Sequence, residues 1–517
     1  MQLSSLLQKP SGYMLASVLC SLGGFLFGID TGIIGPVTVM EDFTKYAGNP
    51  SPTIHGLIVS SILIPAAISS FFAGRVADAL GRPLGIAIGS FIFGVGAALE
   101  GAAVHIAMFI VGRIIEGIGE GLYLSMMVVY VCEISPPRYR GALTTAPQLL
   151  TTLGLVTGFF TCYGTANMQS SFSWRLPFIL LAAYSALFSA SVLMWLPASP
   201  RWLTLHGRTQ EASAAWDKLG VAAADREKIL DQYDATVVET AIPDASGNTS
   251  ASHVAPTTIA VPKSTKGKML DVLSSDARPR LILAVFLMGM QQLSGIDGVL
   301  YYAPLLFQQA GLSSTESTFL ASGVSALLIF SVTIPATILA DRWGRRLNTI
   351  LGGLGMTATM FLMGSLYASS SVHAGTGAGR WVVIVCIYLF AVIYCVSWAV
   401  GIKVYAAEIQ PQRTRASATS IAHGSNWLSN FLVALVTPTL LAKTSYGAYF
   451  LFGGCTLLTA AVCWVFMPET RGMSLGEIDE AFVKKNGLAK VSGVREWARS
   501  LQGRVRWRRP VAVDVDA

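Results

Sequence analysis

The sequence predicts an all-α membrane protein with twelve transmembrane helices in two similar six-helix halves. Only 13% of its 517 residues are charged, about half the share that is usual in soluble proteins. About twelve apolar runs follow one another, each near the roughly 20 residues that a helix needs to cross a bilayer. Short charged motifs also recur in the same order in both halves.

The apolar runs divide evenly around one polar stretch. Six lie near 13–34, 54–77, 84–104, 106–130, 142–163 and 175–196, and six near 280–303, 316–340, 347–369, 380–402, 416–441 and 446–467. We therefore expect an N-terminal bundle over 1–198, a linker over 199–279, a C-terminal bundle over 280–468 and a basic tail over 469–517. The linker begins with a helix-like part, and the Pro-, Ser- and Thr-rich segment 242–262 has the composition of a disordered chain.

The basic residues indicate the orientation of the chain in the membrane. Most Lys and Arg residues between apolar runs fall on one side, together with the linker and the tail. Cytosolic loops collect such residues, so both termini and the linker are predicted to be cytosolic. The same rule explains the net charge of +7, and no nucleic-acid partner is expected. The seven cysteines lie in apolar runs without paired spacing, which predicts neither disulfides nor a metal site.

Three charged motifs occur twice. They are 74–82 with 341–346, 133–140 with 408–415, and 197–201 with 468–472. Similar motifs in one order at nearly one spacing indicate a parallel duplication, with two halves related about the membrane normal. This is the plan of an alternating-access carrier. No nucleophile–base set, phosphate-binding loop or cofactor motif suggests an enzyme.

One polar stretch lies inside the seventh apolar run. It contains Gln291, Gln292, Asp297, Tyr301 and Tyr302. Hydrocarbon offers no hydrogen bonds, so these side chains must face protein, water or a ligand. Glycines and a proline at 295, 298 and 304 loosen the helix there, as in transporters that break a helix at the binding site. We interpret the stretch as a binding site for a small polyhydroxylated molecule.

The motifs together resemble those of the sugar porter family of the major facilitator superfamily over nearly the whole chain. They lie at 28–32, 74–82, 112–117, 133–141, 197–201, 291–296, 341–346, 408–415, 426–430 and 468–472. The resemblance implies a major facilitator fold with a cytosolic helical linker. It also implies a monomeric, multi-pass secondary transporter of the plasma membrane, without a cofactor, that carries a monosaccharide or polyol.

A buried acid and a buried base suggest proton coupling. Asp30 lies midway along the first apolar run, and Arg113 near the start of the fourth. In the family pattern, an acid at the first position accompanies proton symport. Protonation of Asp30 would free Arg113 and change which state is favoured. The alternatives are facilitated diffusion without a proton and a static structural salt bridge. Glu116 and Glu120 share one helical face with Arg113, so either could neutralise it instead or serve as a second proton site.

The resemblance also implies a substrate wall. By motif position, its sugar-contacting residues are Gln148, Gln291, Gln292, Asp297 and Asn426. Amides suit sugars because each offers a donor and an acceptor to neighbouring hydroxyl groups.

Three aromatic residues beside this wall can be interpreted in two ways. We expect Trp427 to stack on the sugar ring, and Tyr301 and Tyr302 to close the outer side of the site. The alternative is that these aromatic residues only pack between helices.

Three departures from the family pattern leave the substrate open, and one of them is Ala399-Val400, which stands where the tenth helix usually has Gly-Pro. Asp297 stands where the family usually has Asn, and Lys403 where it usually has Trp. The two charges could pair across the site and offset each other's desolvation. Alternatively, Lys403 could bind the carboxylate of a sugar acid or a quinate-like ring, or it could simply be solvated at the helix end.

The repeated motifs predict ion pairs at the cytosolic helix ends that break and reform as the halves move. The residues are Asp78, Arg82, Glu133, Arg140, Asp341, Arg345, Glu408 and Arg415. The alternative is that they only set topology, but topology needs no carboxylates.

Three functions therefore remain open at this point. The first is proton-coupled uptake of a monosaccharide or polyol, and the second is proton symport of a sugar acid. The third is a transport-deficient nutrient sensor that signals through its tail.

Overall fold

A computed structural model describes residues 11–136, 139–223, 226, 273–274, 277–312, 315–339, 344–372, 377–411 and 414–471. These residues form helices and, within the described ranges, no strand. The predicted disordered segment 242–262 and the tail beyond residue 471 lie outside them. The predicted domain boundaries therefore stay a prediction.

Eight described helices lie in the N-terminal half, and two more lie at the start of the linker. They are α1 (Gly12–Val39), α2 (Glu41–Tyr46), α3 (Pro52–Ser60), α4 (Leu63–Leu80), α5 (Arg82–Gly101), α6 (Ile106–Ile134), α7 (Arg140–Thr165), α8 (Phe172–Trp195), α9 (Pro200–Leu205) and α10 (Thr209–Leu219).

Eight further helices lie in the described part of the C-terminal half. They are α11 (Arg278–Gln292), α12 (Ile296–Tyr301), α13 (Ala303–Gln309), α14 (Thr315–Leu339), α15 (Arg345–Ala368), α16 (Gly379–Glu408), α17 (Arg415–Lys443) and α18 (Gly447–Phe466).

In the described part of the chain, 10 segments are long and apolar enough to cross a membrane. Helices α7 and α17 are also long, at 26 and 29 residues, but their many Ser, Thr and Asn residues make them less apolar. These two helices carry Gln148 and Asn426, which the sequence places on the substrate wall. A helix that lines a polar path needs fewer apolar residues than one that faces lipid.

The helix ends form two faces. The terminus face carries the start of α1, helices α9 and α10, and the end of α18, whereas the opposite face carries α2 and the end of α13. Helix α10 packs against the first residue of α1, where a Cβ on Gly12 would overlap the carbonyl oxygen of Lys218. The start of the linker is therefore packed onto the bundle.

Helices α1 and α7 approach each other closely through glycine. A Cβ on Gly28 would overlap the carbonyl oxygen of Thr151. On the other helix, a Cβ on Gly158 would lie 2.5 Å from the carbonyl oxygen of Ile29. Small residues on both surfaces let the two backbones touch, and this contact fixes the helix that carries Asp30.

Helices α5 and α6 meet in the same way. A Cβ on Gly96 would lie 2.6 Å from the carbonyl oxygen of Gly112, and one on Gly112 would lie 2.7 Å from Cγ of Glu100. This approach brings the end of α5 beside Arg113 on α6.

The helix break expected near residue 295 is present between α11 and α12. Gly295 has φ of +87°, a left-handed conformation that glycine adopts without strain. A Cβ at this position would lie 2.5 Å from the ring of Phe452, so the position also lacks space for a side chain. The break separates Gln291 and Gln292 on α11 from Asp297 on α12.

The two halves pack together at the opposite face. The Gly35 and Gly56 backbones of the N-terminal half touch the carbonyl groups of Tyr301 and Leu435. The ring of His55 on α3 meets that of Tyr302 edge-on at 5.4 Å. These contacts close the molecule on the opposite face.

Candidate functional site

Asp30 and Arg113 form a buried ion pair in the N-terminal half. Arg113 Nη1 donates to Asp30 Oδ1 at 2.6 Å and to Glu116 Oε2 at 2.8 Å. All three side chains are almost completely buried. The sequence offered Asp30 and Glu116 as alternative partners of Arg113. In the structure both carboxylates accept from the same guanidinium nitrogen.

Two further buried acids complete what we name the acid cluster: Asp30, Glu100, Arg113, Glu116 and Glu120. Glu100 Oε2 lies 3.9 Å from Arg113 Nη1, and its carboxyl group meets that of Glu116. Both carboxyl oxygens of Glu120 are buried without a hydrogen-bond partner in the described part of the chain. Sequence reasoning missed Glu100, although an acid inside the apolar run 84–104 was a usable signal.

A group of aromatic rings lies between the acid cluster and the opposite face. The Trp174 ring packs edge-on against Phe43 at 5.3 Å and against Phe109 at 6.3 Å. The Arg175 guanidinium lies 4.3 Å from the centre of the Trp174 ring and donates to the carbonyl of Gly101 at 3.0 Å. Burial raises the pKa of Tyr46 on the short helix α2, which joins the same group. These rings shield the cluster from that face.

Three amides form a hydrogen-bonded network in the C-terminal half. Gln292 Nε2 donates to Asn426 Oδ1 at 3.1 Å, and Asn426 Nδ2 donates to Gln291 Oε1 at 3.2 Å. Gln291 Nε2 donates to the carbonyl of Trp398 at 2.9 Å. We name Gln291, Gln292 and Asn426 the amide network. Gln292 Oε1 has no hydrogen-bond partner among the described residues, which leaves an acceptor free for a hydroxyl group.

The adjacent tyrosines have different surroundings. Tyr302 Oη donates to the carbonyl of Ala434 on α17 at 2.6 Å, so it fastens the junction between α12 and α13 to α17. Tyr301 contacts the amide of Asn430, and the charges of Asp297, Asp30 and Glu120 act on it. Tyr301 therefore lies between the acid cluster and the C-terminal half.

Asp297 and Lys403 face each other at longer range. The charge of Lys403 acts on Asp297, yet Asp297 Oδ2 is buried and has no hydrogen-bond partner in the described ranges. Lys403 is exposed, and so is His423, on which its charge also acts. Two basic side chains thus line accessible space between α16 and α17, next to Asp297.

The remaining wall residues lie at the edges of this region. Gln148 and Trp427 are half-buried, and Trp427 packs against the core of the N-terminal half. Tyr394 on α16 contacts Gln291 and lies within range of the Asp297 charge. Tyr394 and His423 are candidate wall residues that the sequence motifs did not identify, because neither belongs to a repeated motif.

Ion pairs join helix ends at the terminus face of the N-terminal half. Arg82 Nη2 lies 3.1 Å from Glu133 Oε1 and 3.3 Å from Asp78 Oδ1. Ser199 Oγ donates to Glu133 Oε2 at 2.6 Å, and Arg201 lies 3.7 Å from the same carboxylate. Glu133 is thus the buried centre of this network.

The C-terminal half has a looser counterpart. Arg345 Nη2 lies 3.5 Å from Glu408 Oε1, and Thr470 donates to Glu408 Oε2 at 2.8 Å. Glu469, which belongs to the repeated motif 468–472 but was not among the predicted gating residues, accepts from the backbone amide of Arg345 at 2.8 Å. Asp341 and the side chains of Arg140 and Arg415 lie outside the described residues.

The described residues contain no group of His, Cys, Asp and Glu side chains that could hold a metal ion.

Comparisons with known proteins give the family. The model of the family described as "Sugar (and other) transporter" matches residues 16–482. The chain is 30% identical to the sugar transport protein MST7 of Oryza sativa, over 90% of each chain. It is 29% identical to the low-affinity glucose transporter HXT3 of Saccharomyces cerevisiae, over 91% of this chain and 83% of the relative.

Solved structures agree with this assignment. The proton:xylose symporter XylE bound to 6-bromo-6-deoxy-D-glucose is 25% identical with a TM-score of 0.72, over 91% of this chain and 99% of that one. A partially occluded inward-open form of XylE from E. coli is 24% identical with a TM-score of 0.71, over 90% and 100%, and supports the fold. The chain therefore belongs to the sugar porter family of the major facilitator superfamily, and it is a multi-pass membrane transporter rather than an enzyme.

Proposed function

We propose that this protein is a proton-coupled symporter that takes up a neutral monosaccharide or a related polyol by alternating access. The observation that carries the proposal is the buried pair of Asp30 and Arg113, with its 2.6 Å contact. A buried ion pair is costly unless both partners are held together. A proton that binds Asp30 weakens the pair and so changes the relative stability of the two carrier states.

The sugar contacts mainly the C-terminal half in this proposal, together with Gln148 on α7 of the N-terminal half. The free acceptor of Gln292 and the partly exposed amide of Gln148 offer hydrogen bonds to hydroxyl groups. Trp427 lies beside them as a surface for the sugar ring. MST7 and HXT3 are named as sugar and glucose transporters, which supports a monosaccharide as the substrate.

Tyr301 connects the proton to the sugar. The charges of Asp30 and Asp297 both act on it, and its carbonyl group abuts Gly35 on α1. A shift of α1 after protonation of Asp30 would therefore move α12 beside the substrate wall.

We propose that the terminus face is cytosolic, because its loops carry most of the basic residues. The membrane is the plasma membrane, and the working unit is a monomer.

The ion pairs at the terminus face bias the two states. Arg82, Glu133 and Asp78 hold helix ends together in the N-terminal half, as Arg345 and Glu408 do in the other. Rocking of the halves would break and reform contacts of this kind.

Uptake assays test the proposal. The chain is expressed in cells that lack their own sugar transporters, and uptake of D-glucose, D-xylose, sorbitol, gluconate and quinate is measured with and without a protonophore. We expect a neutral sugar to accumulate and the protonophore to abolish its accumulation. Sugar uptake that a protonophore leaves unchanged would overturn proton coupling.

A sugar acid is the second candidate substrate, because Lys403 and His423 are exposed beside the wall. Lys403→Met tests it. If Lys403 binds a carboxylate, the variant loses gluconate or quinate uptake and keeps neutral sugar uptake. An unchanged preference would refute this candidate. The nutrient sensor alternative predicts no uptake of any compound in the panel.

A further inference from the structure

The acid cluster contains more carboxyl groups than one guanidinium can balance. Four acids surround Arg113, and all of them are buried. If all four were ionised, the cluster would carry a large net negative charge away from water, which is strongly unfavourable. Some of the acids must therefore carry protons in this state.

The contacts indicate which carboxylates stay ionised. Asp30 and Glu116 both accept from Arg113 Nη1, at 2.6 and 2.8 Å. Glu120 accepts no hydrogen bond in the described structure, and neither does Glu100. Buried carboxyl groups without donors are cheapest when neutral. We therefore assign the charges to Asp30 and Glu116, with Glu100 and Glu120 protonated.

Glu100 has a partner for its proton. Glu116 Oε1 receives no hydrogen bond from the described donors, and the carboxyl groups of Glu116 and Glu100 meet. A protonated Glu100 would donate to this oxygen. Glu116 would then be held from both sides, and its 2.8 Å contact with the Arg113 guanidinium, closer than the 3.9 Å of Glu100, favours the ionised form of Glu116 over that of Glu100.

We propose that Glu116, supported by Glu100, is the alternate counter-ion of Arg113 during transport. This inference rests on the proposed proton coupling at Asp30. When Asp30 takes up its proton, Arg113 stays paired with Glu116 on its own helix, and the cluster becomes neutral. In this proposal the guanidinium is therefore not set free, in line with the alternative from the sequence that Glu116 can neutralise Arg113. Only the ion pair between Asp30 on α1 and Arg113 on α6 is lost, and the electrostatic cost is small because Arg113 keeps a carboxylate partner.

Other groups around the cluster do not take this role. Helix α6 adds Tyr123 and α12 adds Tyr301, two phenols on which the charges of the acids act. Helix α8 adds Tyr184, whose hydroxyl group donates to the carbonyl of Leu22 at 3.0 Å. Arg175 at the start of α8 is engaged with the Gly101 carbonyl and the Trp174 ring. Glu116, in contrast, accepts a hydrogen bond from Arg113 Nη1, the same nitrogen that donates to Asp30.

Glu116→Gln tests the proposal through the pH profile of uptake. In this variant, protonation of Asp30 leaves Arg113 buried without a carboxylate. Uptake of D-glucose or D-xylose should then need a proton concentration about 10- to 100-fold higher for half-maximal rate. The profile thus moves to more acidic external pH. Glu41→Gln, on an exposed acid of α2, is the matched control and should leave the profile unchanged.

Two variants of Glu100 keep the test decisive if Glu116→Gln folds poorly. Glu100→Gln retains a donor for Glu116 and should keep the wild-type profile. Glu100→Leu removes the donor and should shift the profile in the acidic direction.

The outcomes separate this inference from the proposed function. Proton-driven uptake with superimposable profiles for Glu116→Gln, Glu100→Leu and wild type would overturn the alternate counter-ion alone. Wild-type uptake that ignores external pH and protonophores would overturn the proposed function, and this inference with it.

Discussion

The two halves of this transporter share a fold but place different chemistry at their centres. The N-terminal half buries a guanidinium among four acids, whereas the C-terminal half buries three neutral amides that bond to one another. Charged groups respond to protons, and amides respond to hydroxyl groups. The difference suggests that one half senses the proton gradient and the other recognises the sugar.

The largest effect in this comparison is expected when Arg113, the basic residue of the acid cluster, is replaced. Arg113→Gln leaves Asp30 and Glu116 without a counter-ion, and we expect the free energy of unfolding to fall by about 3–5 kcal/mol. The folded variant would bind more protons than the unfolded chain, so its stability should decrease as pH rises. Thermal unfolding of the purified protein at acidic and alkaline pH measures this. A loss of stability that is the same at every pH would contradict the charge assignment.

A second variant separates α1 from α7 without touching any charge. Gly28→Ala places a methyl group on the Thr151 carbonyl, and we expect a loss of about 1–3 kcal/mol. The displaced α1 should also carry Asp30 away from Arg113, so proton-driven uptake should fall. Gly454→Ala in the C-terminal half is the control, since a Cβ there meets nothing within 4 Å. Equal melting temperatures for both variants would refute the proposed backbone contact.

A third variant addresses the amide network. Asn426→Leu leaves Gln291 Oε1 and Gln292 Nε2 without their partner. We expect the half-saturating sugar concentration to rise about 10- to 100-fold, the effect of unmade buried hydrogen bonds of about 1–3 kcal/mol. The shape of the pH profile should not change. Thr357→Val, which breaks a buried hydrogen bond between α15 and α18, is the control and should leave sugar affinity unchanged.

The smallest effect is expected at the terminus face. Glu133→Gln weakens the contacts to Arg82 and Arg201, and a bias of about 1 kcal/mol between carrier states changes the turnover rate roughly fivefold. Asp78→Asn removes a carboxylate that is 75% exposed, so its effect should be smaller. Stopped-flow or tracer exchange rates would compare them. A larger effect from Asp78→Asn would contradict the central position of Glu133.

Much of the fold was predictable from the sequence, for identifiable reasons. Apolar runs and basic loops reflect the membrane itself, so the helices and their order follow from composition. Gly295 and Pro304 marked the broken helix because their backbone preferences are local. Asp30 and Arg113 were recognisable because charge is rare inside apolar runs.

The composition of the acid cluster was not predictable in the same way. The contact of Glu100 with Glu116 depends on how closely α5 approaches α6 at Gly96 and Gly112. The spacing of residues within one helix does not determine the distance between two helices. The same holds for Tyr302, whose hydroxyl group bonds to α17. The relation of Asp297 to Lys403 also depends on how α12 and α16 are positioned.

Asp30→Asn in proteoliposomes with an imposed pH gradient tests whether Asp30 is the proton switch. The neutral amide mimics a protonated Asp30, so the variant should still exchange labelled sugar between the two sides. It should not accumulate sugar against a gradient, and a protonophore should have no effect on it. Accumulation by Asp30→Asn that still collapses when the protonophore is added would contradict the account.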